Sequence, residues 1–196
     1  MAIAISSGEK HTCAILDNGS VSCWGDGAQG RLGNGGITPS STPGLTNTLG
    51  LGRTAIAISS GASHTCVILD NGSVSCWGRG GTGALGNGGS SNKLMPTQIT
   101  SLGSGRTAVA ISSGFEHTCA ILDNGSVACW GTGAYGRLGD GNSTGVKLVP
   151  NLTTKLGNGR TAVAISSGFS HTCAVLDNGS VSCWGKGNNG QLGNGG

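Results

Sequence analysis

Residues Ser6–Gly25 read SSGEKHTCAILDNGSVSCWG, and the same stretch returns three more times. It comes back as SSGASHTCVILDNGSVSCWG from Ser59, SSGFEHTCAILDNGSVACWG from Ser112 and SSGFSHTCAVLDNGSVSCWG from Ser166. The steps from Ser6 to Ser59, Ser59 to Ser112 and Ser112 to Ser166 are 53, 53 and 54 residues. Self-similarity at such a period marks a repeat architecture. No unit shows helical periodicity; each reads as short strands broken by glycine. In the first unit, Ala2–Ser6 and His11–Leu16 are extended, Asp17-Asn18-Gly19 is a hairpin signal, and Ser20–Trp24 is the returning strand. A Gly-rich loop, GDGAQGRLGNGG, follows. A weaker extended segment lies in the linkers, as in Leu94–Leu102. Four short antiparallel strands in a unit of about 50 residues describe a propeller blade. The expectation is an all-β propeller of four-stranded blades, four repeats per chain. It is a single repeat domain, 1–196, with units at about 2–54, 55–107, 108–161 and 162–196. The last unit stops before its fourth strand.

Composition agrees with this reading and narrows function. The chain has 196 residues, 40 of them Gly and 4 Pro, with 10% charged residues against about 25% in ordinary domains. The net charge of +3 comes without a basic run, which gives no electrostatic footprint for nucleic acid. No apolar stretch approaches the roughly 18 residues of a membrane helix, and Met1–Ile5 does not read as a signal peptide. No partner of either class, nucleic acid or membrane, is expected.

The pattern G-x-x-H-[TS]-x-x-[IL]-x-x-x-G-x-V-x-x-W-G-x-G-x-x-G-x-L-G resembles the repeat of the regulator of chromosome condensation family. It covers nearly the whole chain. The resemblance implies a propeller, seven-bladed in the family, whereas four repeats stand here. The paired-cysteine form, HTC…CWG, is similar to secreted and cell-surface members, which implies an extracellular or cell-surface setting; the alternative is cytoplasmic. The resemblance also implies a rival function, nucleotide exchange on a small GTPase.

The eight cysteines form four pairs, Cys13/Cys23, Cys66/Cys76, Cys119/Cys129 and Cys173/Cys183. A three-residue turn at Asp17-Asn18-Gly19 sets Leu16 opposite Ser20 and, counting back, Cys13 opposite Cys23. Such a non-hydrogen-bonded pair has Cα atoms about 4.5 Å apart, within disulfide range. Three readings stay open: cross-strand disulfides, buried free thiols, and a metal site built from His11, Cys13 and Cys23 and its copies.

His11, His64, His117 and His171 recur identically, which suits a buried imidazole bonded to backbone better than a catalytic base. Trp24, Trp77, Trp130 and Trp184 are expected to pack between blades. Gly25-x-Gly27-x-x-Gly30 matches a dinucleotide fingerprint, but no helix pattern follows it, so no cofactor is expected. The asparagines of the N-G-S sequons are explained by turn chemistry. No catalytic constellation stands out.

Positions identical in all units serve the blade itself. A specific partner must use positions that differ. Those fall after S-S-G and in the Gly-rich loop, where Phe115, Phe169, Tyr135, Arg79, Arg137 and Lys186 are the candidate partner-binding residues. The expected function is a non-enzymatic scaffold for protein binding through rim loops or for self-assembly. The terminal units carry no polar caps, so their outer faces are expected to be covered: a second copy completing the ring, as a homodimer or higher assembly, is the favoured reading, beside a four-bladed ring closed on itself, a head-to-tail filament, or a longer propeller of which this chain is a fragment.

Overall fold

The computed structural model describes residues 1–195. Its first blade is β1 (Ala2–Ser7), β2 (His11–Leu16), β3 (Val21–Gly25) and β4 (Ser40–Leu45). The second is β5 (Ala55–Ser60), β6 (His64–Leu69), β7 (Val74–Gly78) and β8 (Lys93–Gln98). The third is β9 (Ala108–Ser113), β10 (His117–Leu122), β11 (Val127–Thr132) and β12 (Val146–Leu152). The fourth has three strands, β13 (Ala162–Ser167), β14 (His171–Leu176) and β15 (Val181–Gly185). Each blade is an antiparallel meander in sequence order.

The hairpin forms for a local reason. Gly19 adopts φ 74°, which lets its N–H donate to the Leu16 carbonyl, while the Leu16 N–H donates to Ser20. The Asn18 carboxamide oxygen accepts from both the N–H and the hydroxyl of Ser20. Ser20 therefore belongs to the turn, and the returning strand begins one residue later than the sequence suggested. The fourth strands each hold a proline (Pro43, Pro96, Pro150), which an outer edge tolerates because no ladder bond is demanded there.

The first strands adjoin one another, β1 beside β5, β5 beside β9 and β9 beside β13, so they line the axis and the blades fan outward. The core lies between blades rather than within one. Ile15, Val21 and Leu32 of blade one meet Ala55, Val67, Leu69 and Trp77 of blade two. The same interlayer recurs between blades two and three and between three and four. The ring is open. Val21, Val74 and Val127 are at most 1% exposed, whereas their counterpart Val181 is 64% exposed. At the other end Ala55, Ala108 and Ala162 are buried and Ala2 is exposed.

Candidate partner-binding face

All eight cysteines are paired as cross-strand disulfides: Cys13–Cys23, Cys66–Cys76, Cys119–Cys129 and Cys173–Cys183. Their Cα atoms lie 4.1 Å apart, at the register the three-residue turn dictates. This overturns the His/Cys/Cys metal reading and the free-thiol reading together, because no sulfur remains as a thiolate to coordinate a cation.

The repeated histidines and tryptophans form a clasp at each blade junction. His11 Nε2 lies 2.7 Å from the Thr65 hydroxyl of the next blade. Thr65 donates onward to the Arg31 carbonyl, and Trp77 Nε1–H donates to that same carbonyl at 3.0 Å. Because the hydroxyl proton is committed to Arg31, His11 must donate through Nε2–H. Its Nδ1 is left as a buried, unpartnered lone pair. His64, Thr118, Trp130 and the Ala84 carbonyl repeat the arrangement. So do His117, Thr172, Trp184 and the Arg137 carbonyl. Burial lowers the pKa of His11 to about 4, with Arg31 lowering it further against Asp26. It lowers those of His64 and His117 to about 3. These histidines are neutral hinge pins, not bases.

The sequence reading expected the imidazole to bond backbone; the structure gives it a threonine hydroxyl of the neighbouring blade instead. Thr12, Thr65, Thr118 and Thr172 were overlooked, although their recurrence in every H-T-C was the available signal. The Gly-rich loop fits under the tryptophan. Gly33 has φ 69°, and a Cβ there would lie 2.8 Å from Trp77 Nε1, so a side chain would collide with the indole. The loop's glycines thus serve this close approach.

The six positions chosen for differing between copies fall on blades two to four. Phe115 and Phe169 stack, with ring centroids 3.9 Å apart and planes at 20°. Phe169 is 65% exposed, while Phe115 is half-buried beneath that stack. Arg137 is buried; its Nη1 reaches the Phe169 carbonyl at 3.5 Å and its Nε donates to Ala134. Arg137 and Lys186 both lie against the Tyr135 ring, at 5.8 and 5.2 Å from its centroid. Arg79 pairs with Glu116 at 3.2 Å. Tyr135 is exposed and holds φ 62°, a left-handed conformation costly for a bulky residue. Beside this cluster the four Ser-Ser-Gly loops surround a concavity of about 300 Å³ with Phe115 and Phe169 in its wall.

The profile described as the regulator of chromosome condensation (RCC1) repeat matches residues 2–31, 55–84, 108–137 and 162–191. The chain is 36% identical over 197 residues to the human E3 ubiquitin-protein ligase HERC2, covering 98% of this chain and 4% of that protein. It is 31% identical over 189 residues to the Arabidopsis thaliana ultraviolet-B receptor UVR8, covering 96% and 42%. It thus spans less than half the length of either relative. Among solved structures it superposes on human WBSCR16 with a TM-score of 0.84 at 20% identity, over 96% of this chain and 49% of that one. It superposes on yeast RCC1 (Prp20), solved bound to Kap60, with a TM-score of 0.82 at 22% identity, over 98% and 45%. Those likenesses carry the fold. With four copies of the repeat profile and four blades of matching topology, the chain belongs to the RCC1 repeat family.

Proposed function

We propose that this chain is a non-catalytic propeller scaffold that binds another protein through the face carrying Phe169, Tyr135, Lys186 and Arg79. One observation carries the reading. Seven of the residues that vary between copies, Arg79, Phe115, Glu116, Tyr135, Arg137, Phe169 and Lys186, lie together on blades two to four. They join side by side as a stacked pair, a cation–π pair and an ion pair, while the residues common to all copies are consumed by the junctions. Exposed aromatics ringed by cations are the residue types that dominate protein interfaces. Phe115 beneath Phe169, and Arg137 beneath Tyr135, hold the two exposed rings in place. Lys186 suits a partner segment bearing carboxylates, whereas the Arg79 charge is already met by Glu116.

Four disulfides suit an oxidising compartment, and we place the chain outside the cell or at its surface on that ground. Yeast RCC1 (Prp20p) has binding properties towards Gsp1p and histones. Likeness at 24% identity brings the fold alone, so the exchange-factor reading gains no residue here.

The test is selection of acidic, aromatic-bearing peptides from a displayed library on the wild-type chain, followed by titration against Phe169→Ala and Lys186→Glu. Both side chains are accessible, so folding is retained, which unchanged circular dichroism checks. The expected result is at least a tenfold loss of affinity with Phe169→Ala, in line with an interface anchor. Selected peptides that bind both variants as well as the wild type would place the contact elsewhere and overturn the reading.

A further inference from the structure

The Gly-rich loops of blades one and three are built alike. Gly27 and Gly133 open them at φ −92° and −89°, Gln29 and Tyr135 follow in the left-handed region at φ 63° and 62°, and Arg31 and Arg137 close them at φ −61° and −60°. Each arginine caps its own loop: Arg31 Nε donates to the Ala28 carbonyl and Arg137 Nε to the Ala134 carbonyl, both at 3.0 Å. Both residues are buried, 5% and 4% exposed. Blades two and four carry Ala84 and Gln191 at this position. What differs between the two arginines is the other end of the guanidinium, Nη1 and Nη2.

In blade one that end is satisfied from within the loop. Arg31 Nη1 lies 3.4 Å from the Asp26 carboxylate, and Nη2 lies 3.5 Å from the Gln29 amide oxygen. In blade three Thr132 stands in the place of Asp26 and Tyr135 in the place of Gln29, so both acceptors are gone. Arg137 Nη1 reaches only the Phe169 carbonyl at 3.5 Å, and among the described residues Nη2 meets no acceptor. The polar side-chain atoms sealed away without a partner are, among the described residues, His11 and His117 Nδ1 alone, so Arg137 Nη2 is within reach of solvent. Glu116 acts on the Arg137 charge from a distance, but its carboxylate is held by Arg79 at 3.2 Å. Lys186, against the same Tyr135 ring, also has no ion pair among the described residues. Burial lowers the Arg137 pKa by disfavouring its charge, a cost that an anion set against it would offset.

We infer that Arg137 anchors a carboxylate of the bound protein, an aspartate or glutamate side chain that takes beside Tyr135 the place Asp26 fills in blade one. The inference rests on the reading of this face as a protein-binding surface, and it names the group the face takes. A carboxylate is the fitting anion because the same loop, in the same conformation, already holds one at Arg31. Its two oxygens accept from Nη1 and Nη2 together, the paired geometry a guanidinium offers. Burial of Arg137 strengthens such a charge-assisted bond relative to one at an open surface. Lys186, on the same ring, adds a second positive charge at the entrance. The comparison sets one internal loop against another, so it is independent of both chain ends.

NMR of the arginine Nε–H groups in the full chain tests the inference without any partner protein. Sodium acetate replaces sodium chloride stepwise at constant ionic strength. The Arg137 signal is expected to shift along a saturating curve, while the Arg31 signal stays in place because Asp26 already fills its site. Thr132→Asp installs the blade-one carboxylate beside Arg137, at a half-buried position, and leaves the loop-capping bond of Arg137 untouched. It is expected to abolish the acetate response with unchanged circular dichroism. Against acidic peptides selected on the wild-type chain, Thr132→Asp is expected to lose about tenfold in affinity, the scale of one charge-assisted hydrogen bond. Exchanging the peptide's acidic residue for its amide is expected to cost the wild type as much and the variant nothing further. A selection that yields no peptide would remove the scaffold reading, while the acetate titration still decides whether Arg137 takes a carboxylate. Arg31 and Arg137 responding alike, no saturable shift at Arg137, or an undiminished response in Thr132→Asp would each overturn the inference.

Discussion

The residue that does most for its size is the threonine of each H-T-C. Thr118 accepts from His64 and donates to the Ala84 carbonyl, tying two blades with one hydroxyl. Thr118→Val keeps the shape and removes the hydroxyl, stranding a buried imidazole N–H. The expected cost is about 2–4 kcal/mol in urea unfolding, since a buried donor left unpaired costs about 1–3 kcal/mol beyond the lost bond. A change below about 0.5 kcal/mol would mean that the clasp contributes little. The histidines add a pH dependence whose sign is fixed by burial. The unfolded chain takes up protons near pH 6.5, while the folded one resists until about pH 4 at His11 and about pH 3 at His64 and His117. Between these values the unfolded state binds more protons, so stability is full above about pH 6.5 and is lost as pH falls. From pH 6.5 to 5 the loss is about 1.5 kcal/mol for each such histidine. Urea midpoints at pH 7 and pH 5 measure it, and His64→Gln is expected to flatten the dependence by removing one titrating group. Equal midpoints at the two pH values would contradict the neutral, buried assignment.

At the scale of the element, the hairpin's turn and register were legible, and only the start of the returning strand, Val21 rather than Ser20, was not. A three-residue Asp-Asn-Gly turn fixes register, register sets Cys119 opposite Cys129, and the disulfide follows. Each bridge closes a loop across a separation of 10 residues. Replacing Cys119 and Cys129 by alanine is expected to lower stability by roughly 2–3 kcal/mol in the loop-entropy account, read as a reduced melting temperature. The fourth strand was the least legible element. SSTPGL, KLMPTQ and VKLVPNL share little beyond their proline, because an edge strand needs backbone pairing and little else from its side chains. The reading placed this strand near Leu94–Leu102; the paired residues are Lys93–Gln98, since beyond Gln98 the chain leaves the edge and Ile99 turns into the interlayer core. The six candidate contact residues were found by a different route, comparison of copies within one chain. That route gave their identity but not their adjacency. The stacking of Phe115 on Phe169 and the approach of Lys186 to Tyr135 depend on how far one blade is rotated from the next, which no single repeat encodes.

For the whole molecule, the determining fact is that apolar cores lie between blades, so every blade has two faces to cover and an open arc has two faces uncovered. Placing an arginine inside an interlayer shows the difference most plainly. Val74→Arg puts a charge among Cys66, Ile68 and Trp130 and is expected to cost several kcal/mol or abolish folding, whereas Val181→Arg, at a 64% exposed position, is expected to leave the chain folded. Soluble yield and urea unfolding separate the two. Hydrogen exchange at the four tryptophan indole N–H groups of the Val181→Arg chain, resolved by NMR and assigned with Trp24→Phe, reads the junctions directly. Three strongly protected indoles, Trp77, Trp130 and Trp184, beside a fast-exchanging Trp24 are the expected result; four indoles exchanging alike would show that the clasps do not hold the blades together.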